Sequence, residues 1–288
     1  MSCKSENLGA PVDNRQPAQL PGQVGPTAAS STPRPNFPGS SSTTTTRTSF
    51  GTVSSITSTT LGAANFLTQG SGGPVGRREI RSRNGNYWIN VPQTNPVPNQ
   101  GLGLLVALHG SSASSYAQFA TEMAPIAQSY GMMIASVLAP NGSGWNEGNQ
   151  QSNAQYLHNL IQNEIYRLYN IDTRKVIFSG QSSGGGFLGS HFIPLFGENY
   201  QGGAFLQCGV QPPFRAFTAS ARMQQSFQIH IEITTGETIW RQFFNPAIQS
   251  YQQAGLQVSS RSDRPGGHCQ FSQSEVIQSQ IRRFLPAL

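Results

Sequence analysis

The chain has 288 residues, of which only 10% are charged, and a formal net charge of +6. An ordinary soluble protein is about 25% charged, so Gln, Asn and Ser must supply most of the polar surface here. Nucleic-acid binding calls for a basic face interleaved with aromatics; the one dense basic cluster, Arg77 to Arg83, alternates as a strand does, and a nucleic-acid partner is set aside.

Residues 1–75 include the tract "PRPNFPGSSSTTTTRTSFGTVSSITSTT". It has few large apolar side chains to offset the entropy of ordering it and reads as a disordered Pro/Ser/Thr-rich stalk. Residues 76–288, about 210 residues, are ample for one core and read as a single domain. No segment approaches the roughly 18 to 20 apolar residues that span a bilayer, and "MSCKSENLGAP" lacks the apolar region of a signal peptide. Cys3 before a polar spacer resembles the mature start of a bacterial lipoprotein with a lipid anchor; the alternative is an ordinary tail residue.

"NYWINVP" (86–92) alternates and stops at proline, as an edge strand would. "LGLLVALHG" (102–110) is a continuous apolar run, the pattern of a strand buried on both faces of a parallel sheet. A helix through "YAQFATEMAPIAQSY" and a buried strand in "MMIASVLAP" come next. In "NAQYLHNLIQNEIYRLYN" (153–170), Tyr156, Leu157, Leu160, Ile161, Ile165 and Leu168 share one helix face. Then come the strand "KVIFSG", a helix from about 183 to 196, strands "GGAFLQCG" and "FQIHIEITTG", a helix in "RQFFNPAIQSYQQAG", a strand near "LQVSSRS" and a helix through "EVIQSQIRRFL". This alternation predicts an α/β fold with a mostly parallel sheet covered on both faces, whose ligands bind outside the carboxyl ends of the strands.

One motif falls at such an end. Gly180-Gln181-Ser182-Ser183-Gly184 fits G-x-S-x-G, between a buried strand and a helix. A serine at that strained corner needs neighbours without bulky side chains two residues before and after, and Gly180 and Gly184 provide them; Gly185 and Gly186 are expected to bring the helix close to the sheet. Ser182 is therefore the candidate nucleophile, with an oxyanion hole from the N–H groups of Ser183 and, after the first buried strand, Ser111.

A serine nucleophile needs a base, and the base an orienting acid. His109 closes a strand and is expected to hold a loop; His158, His191 and His230 fall within predicted elements and read as structural. His268 lies between the last strand and the last helix, where the base belongs when the chain order is serine, acid, histidine. For the acid, Glu198 and Glu232 are poorly placed, Glu237 just past a strand end is favoured, and Asp263 is the alternative, with no working acid a third possibility.

With "LLVALHG", "LAPNGSGWNEG", "DTRKVIFSGQSSGGGF", "LQCG" and "PGGHCQF" in that order, residues 78–288 resemble the α/β-hydrolases. Within these they are similar to secreted esterases related to polyhydroxybutyrate depolymerases and feruloyl or acetylxylan esterases. The resemblance implies an eight-stranded sheet, a Ser-Asp-His triad, no cofactor or metal, and hydrolysis of carboxylic esters, often polymeric and outside the cell. It makes Ser182 the nucleophile, His268 the base and Trp145 a residue of the cleft mouth that binds substrate. In one respect the chain departs from the family: where Gly-x-x-Asp is usual, Gly236-Glu237-Thr238-Ile239 has isoleucine. Either Glu237 or Asp263 substitutes, or the protein is a surface binding protein without catalysis. Cys208 and Cys269, at predicted strand ends, are expected to form a disulfide that pins the His268 loop and persists only outside the reducing cytosol; two unpaired thiols are the alternative. The sequence is thus read as an exported or cell-surface bacterial protein acting on an ester as a monomer.

Overall fold

The computed structural model describes residues 66–93 and 101–285. The expected stalk up to residue 65 and the anchor at Cys3 lie outside the described residues. Residues 66–75, grouped with the stalk by composition, are bonded to the body: Thr68 N–H donates to Ile171 O at 3.1 Å, and Ser71 N–H and Gly72 N–H donate to Arg167 O and Leu168 O at 2.9 Å. These residues therefore belong with the body, because a segment poor in apolar side chains can still be fixed through its backbone.

Among the described residues, eight strands make one sheet: β1 (Gly76–Ser82), β2 (Gly85–Val91), β3 (Leu102–Leu108), β4 (Met132–Val137), β5 (Ile171–Gln181), β6 (Gly202–Gln207), β7 (Phe227–Thr234) and β8 (Gln257–Arg264). Their order is β1-β2-β4-β3-β5-β6-β7-β8. β1 and β2 are antiparallel to their neighbours and the remaining pairs are parallel. β2, expected at an edge, lies between β1 and β4, and the edge strand on that side is β1. Proline comes after β2 rather than interrupting it, so nothing in that strand prevents pairing on both sides.

The apolar runs are continuous because the sheet has a core on each face. Leu104, Val106 and Leu108 of β3, with Val176 and Phe178 of β5, face one core. Leu105, Ala107 and Ile177, alternating with them, face the other. The second core is closed by α1 (Tyr116–Glu122), α2 (Ala124–Ser129) and α9 (Gln273–Gln280), through Phe119, Met123, Ala127 and Ile277. The first is closed by α3 (Gln150–Leu160), continuing through a π-turn into α4 (Tyr166–Leu168), by α5 (Ser183–Phe187), continuing through a second π-turn into α6 (Ile193–Phe196), and by α8 (Arg241–Gln253). Leu157, Leu160, Ile161 and Ile165 of the predicted face are fully buried, while Tyr156 and Leu168 pack at its margin. The short helix α7 (Ala221–Ser226) has too few apolar positions for a helical period to register and is not among the predicted elements.

Strand register sets where the loops emerge. Leu108 pairs with Gly180, Gln181 with Gln207, and Gln207 with Glu232. The parallel strands therefore end level, and the loops after β3, β5, β6, β7 and β8 leave along one edge of the sheet.

Candidate active site

Ser182 stands at the corner between β5 and α5 with φ 49° and ψ −113°, a left-handed conformation that costs a non-glycine residue energy. Bonds on both sides hold it there: Ser182 N–H donates to Gln207 O and Gly186 N–H donates to Ser182 O, each at 2.9 Å. The corner is crowded. A Cβ on Gly180 would lie 2.5 Å from the Gly184 backbone, and one on Gly184 would lie 2.7 Å from Leu108 O. Gly185 packs as expected, its would-be Cβ 2.3 Å from Gly209 O, but Gly186 faces the Trp240 ring and the Asn146 amide rather than the sheet. Gly209 is a further requirement that sequence reasoning missed, since a Cβ there would sit 1.8 Å from Ser182 O. Its signal was the glycine closing "LQCG".

His268 arrives from the loop after β8. Its Nε2 lies 2.9 Å from Ser182 Oγ, and its Nδ1 lies 2.6 Å from Glu237 Oε2. Beside a carboxylate, Nδ1 carries the proton and donates it, so Nε2 is left to accept from the serine hydroxyl. Glu237 lies just past the end of β7 and its side chain is wholly buried. Its other oxygen, Oε1, accepts from Ile239 N–H at 2.9 Å and Trp240 N–H at 3.1 Å, donors at the start of α8. Ile239, in the position where an aspartate is usual, is 54% exposed and serves only through its backbone.

The other carboxylates are engaged elsewhere. Asp263 is on the exposed edge strand and accepts from Arg261 Nε at 2.7 Å, so it is not the partner of His268. Glu198 accepts from Ser220 N–H and Oγ–H, and Glu232 pairs with His230 and Arg264. His109 holds a loop as expected: Nδ1–H donates to Gly110 O at 2.6 Å and Nε2 accepts from Ala139 N–H at 3.0 Å. Burial lowers its pKa, against the opposing pull of the Gly110 bond.

Ser183 opens α5, where a first-turn N–H has no partner within the helix. The loop after β3 passes the nucleophile, since a Cβ on Gly110 would lie 3.5 Å from Ser182 Cβ, and Ser111 is the next residue. Ser115 Oγ–H donates to Gln181 Oε1 at 2.9 Å, tying that loop to the elbow. Trp145 is not at a cleft mouth. It is fully buried, stacked on Phe187 at 5.1 Å and 5.9 Å from the His109 ring. A large ring flanked by other rings gains more from burial than from exposure, and it packs against His109, which holds the neighbouring loop.

The two loops that carry His268 and Glu237 are bonded to each other. Thr235 N–H donates to Arg264 O at 2.8 Å, Gly236 N–H to Gly266 O at 2.9 Å and Thr234 Oγ–H to Gly267 O at 2.9 Å. Cys208, just past β6, is joined to Cys269 by a disulfide, with Cα atoms 5.0 Å apart. The bridge therefore ties the residue after His268 to the strand next to the nucleophile's. Among the described residues, no group of three or more His, Cys, Asp or Glu side chains is placed to hold a metal ion.

No family model matches the chain. No curated protein matches it either. Solved structures do. A carboxylesterase from Mesorhizobium loti is similar with a TM-score of 0.55 and 14% identity, covering 72% of this chain and 99% of that one. A feruloyl esterase module from Clostridium thermocellum gives a TM-score of 0.54 at 10% identity, covering 74% and 88%. Acyl-protein thioesterase 2 from Zea mays gives 0.52 at 15%, covering 70% and 100%. At such identities the likeness is one of fold.

Proposed function

We propose that this chain, which has the α/β-hydrolase fold, is a serine esterase that hydrolyses carboxylic esters through an acyl-enzyme on Ser182. The observation that carries this reading is the unbroken relay from Ser182 Oγ through His268 to the buried Glu237 carboxylate, at 2.9 and 2.6 Å. Ser182 Oγ attacks the ester carbonyl while its proton passes to His268 Nε2. Negative charge develops on the carbonyl oxygen, where the N–H groups of Ser183 and Ser111 would receive it. His268 then gives its proton to the departing alcohol; in the second half-reaction it takes one from water as that water attacks the acyl-enzyme, and returns it to Ser182 Oγ as the bond to the acyl group breaks and the acid leaves. Glu237 keeps Nδ1 protonated throughout and stabilises the imidazolium as it forms.

Two features support the finer reading of an exported enzyme acting on polymer-type esters. The disulfide belongs in an oxidising compartment, and feruloyl esterases are among the structures of like fold. A lipid anchor at Cys3 is part of the same proposal. The ground for a non-catalytic binding protein was an unfilled acid position, and Glu237 has the geometry of that acid. The test is hydrolysis of a chromogenic short-chain ester by the protein and by Ser182→Ala. Turnover by the first alone supports the reading; equal background rates refute it.

A further inference from the structure

Near the ends of β7 and β8 lies a half-buried ion pair that takes no part in the proposed relay. Glu232 on β7 is 2% exposed; its Oε1 accepts from Arg264 Nε at 2.5 Å, and its Oε2 lies 3.1 Å from His230 Nε2. Burial alone would raise the Glu232 carboxyl, but its bonds to His230 and Arg264 outweigh that and hold its pKa below the ordinary value. It is a carboxylate at neutral pH. Arg264 is the last residue of β8, four before His268.

β8 is an edge strand held by β7 alone, and its register is irregular where this pair sits. Glu232 is opposite Arg261 and Thr234 is opposite Arg264, so three steps of β8 run against two of β7. An extra residue of this kind bends an edge strand and re-aims the loop beyond it. A slip of one residue would displace the chain by about 3.3 Å, more than the whole Ser182–His268 separation of 2.9 Å. Arg261 cannot pin the bulge, because it is turned to Asp263 at the surface. Arg264 can: its side chain reaches back to Glu232, while its own carbonyl receives Thr235 N–H from the acid loop. Glu232 O in turn accepts Cys208 N–H at 2.8 Å, beside the disulfide.

We propose that Glu232 and Arg264 are positioning residues for the triad, fixing the bulged register of β8 on β7 so that His268 is delivered between Ser182 and Glu237. For its kinetic readout this rests on the esterase reading above; its spectroscopic readout does not.

The test uses the full chain. In Arg264→Met, kcat on the chromogenic ester is expected to fall about 10²-fold with KM within about twofold, the pattern of a misplaced catalytic group rather than a lost binding contact. The low-field proton resonance of His268 Nδ1–H against Glu237, identified by its loss in His268→Ala, is expected to vanish with it. Arg264→Lys keeps the charge and one donor and is expected to recover about tenfold of the loss. The double variant Glu232→Gln/Arg264→Met leaves no unpaired buried charge, so its melting temperature should return towards the native value while kcat stays low. That split separates positioning from stability. Native kcat and resonance in Arg264→Met, recovery of kcat along with stability in the double variant, or absence of the resonance from the native protein would each overturn the proposal. If the native protein hydrolyses no ester, the esterase reading fails, and the resonance still decides the positioning claim.

Discussion

At the scale of single residues, the proposed function turns on one carboxylate. Glu237 sits two positions before the expected aspartate, yet it is buried, bonded to His268, and steadied by two backbone N–H groups. Replacing it by glutamine keeps the shape but favours the wrong imidazole tautomer, and kcat is expected to drop about 10⁴-fold. Glu237→Asp withdraws the carboxylate by one methylene from a bond of 2.6 Å, and a misplacement of that size is expected to cost about 10²-fold. Asp263→Asn breaks only an exposed pair with Arg261, so steady-state rates should stay within about twofold of native. A loss at Asp263 equal to that at Glu237 would refute this assignment of the acid.

At the scale of elements, the site depends on how closely strand ends and the elbow approach each other. Gly180→Ala would place a methyl group 2.5 Å from the Gly184 backbone, which has no flexible end to move aside. Overpacking of this kind costs roughly 1–3 kcal/mol or more, to be read from the urea midpoint. The Cys208–Cys269 bridge closes a loop of 61 residues between the end of β6 and the residue after His268. On the chain-entropy account it contributes about 4 kcal/mol. Alkylation in denaturant without reductant should therefore leave both cysteines unmodified, and reduction should lower both the melting temperature and kcat. Labelling of both without reductant would rule the bridge out.

For the whole molecule, sparse charge means that stability rests on two apolar cores, with a few buried titratable groups setting its response to acid. Burial lowers the pKa of His109, His158 and His191 below the ordinary histidine value of 6.5. Groups with a depressed folded pKa contribute stability above the unfolded value and lose it as pH falls through the folded one, because the unfolded chain binds the proton first. Asp172 and Glu232 have the same sign below their ordinary values of 3.8 and 4.5: burial raises each, and the bonds of Asp172 to Arg174 and of Glu232 to His230 and Arg264 more than reverse it. Urea midpoints should therefore fall steadily from about pH 7 to pH 4. A protein that gained stability on acidification through pH 6 would contradict this sign.

The sequence by itself determined the alternation of buried strands and amphipathic helices, the elbow around Ser182, and His268 as the histidine that meets it, because these are written in local periodicity, glycine placement and the order of elements. Of the four carboxylates between serine and histidine it favoured Glu237, just past a strand end, with Asp263 or no working acid as alternatives. Only the tertiary structure decided between them. Which carboxylate faces an imidazole depends on strand register and on a bulge in β8, and neither leaves a mark in composition or spacing. For the same reason the burial of Trp145, the inner place of β2 and the contact of Gly209 with Ser182 were not legible. Each is set by what packs across from the residue, and those neighbours are distant in the chain.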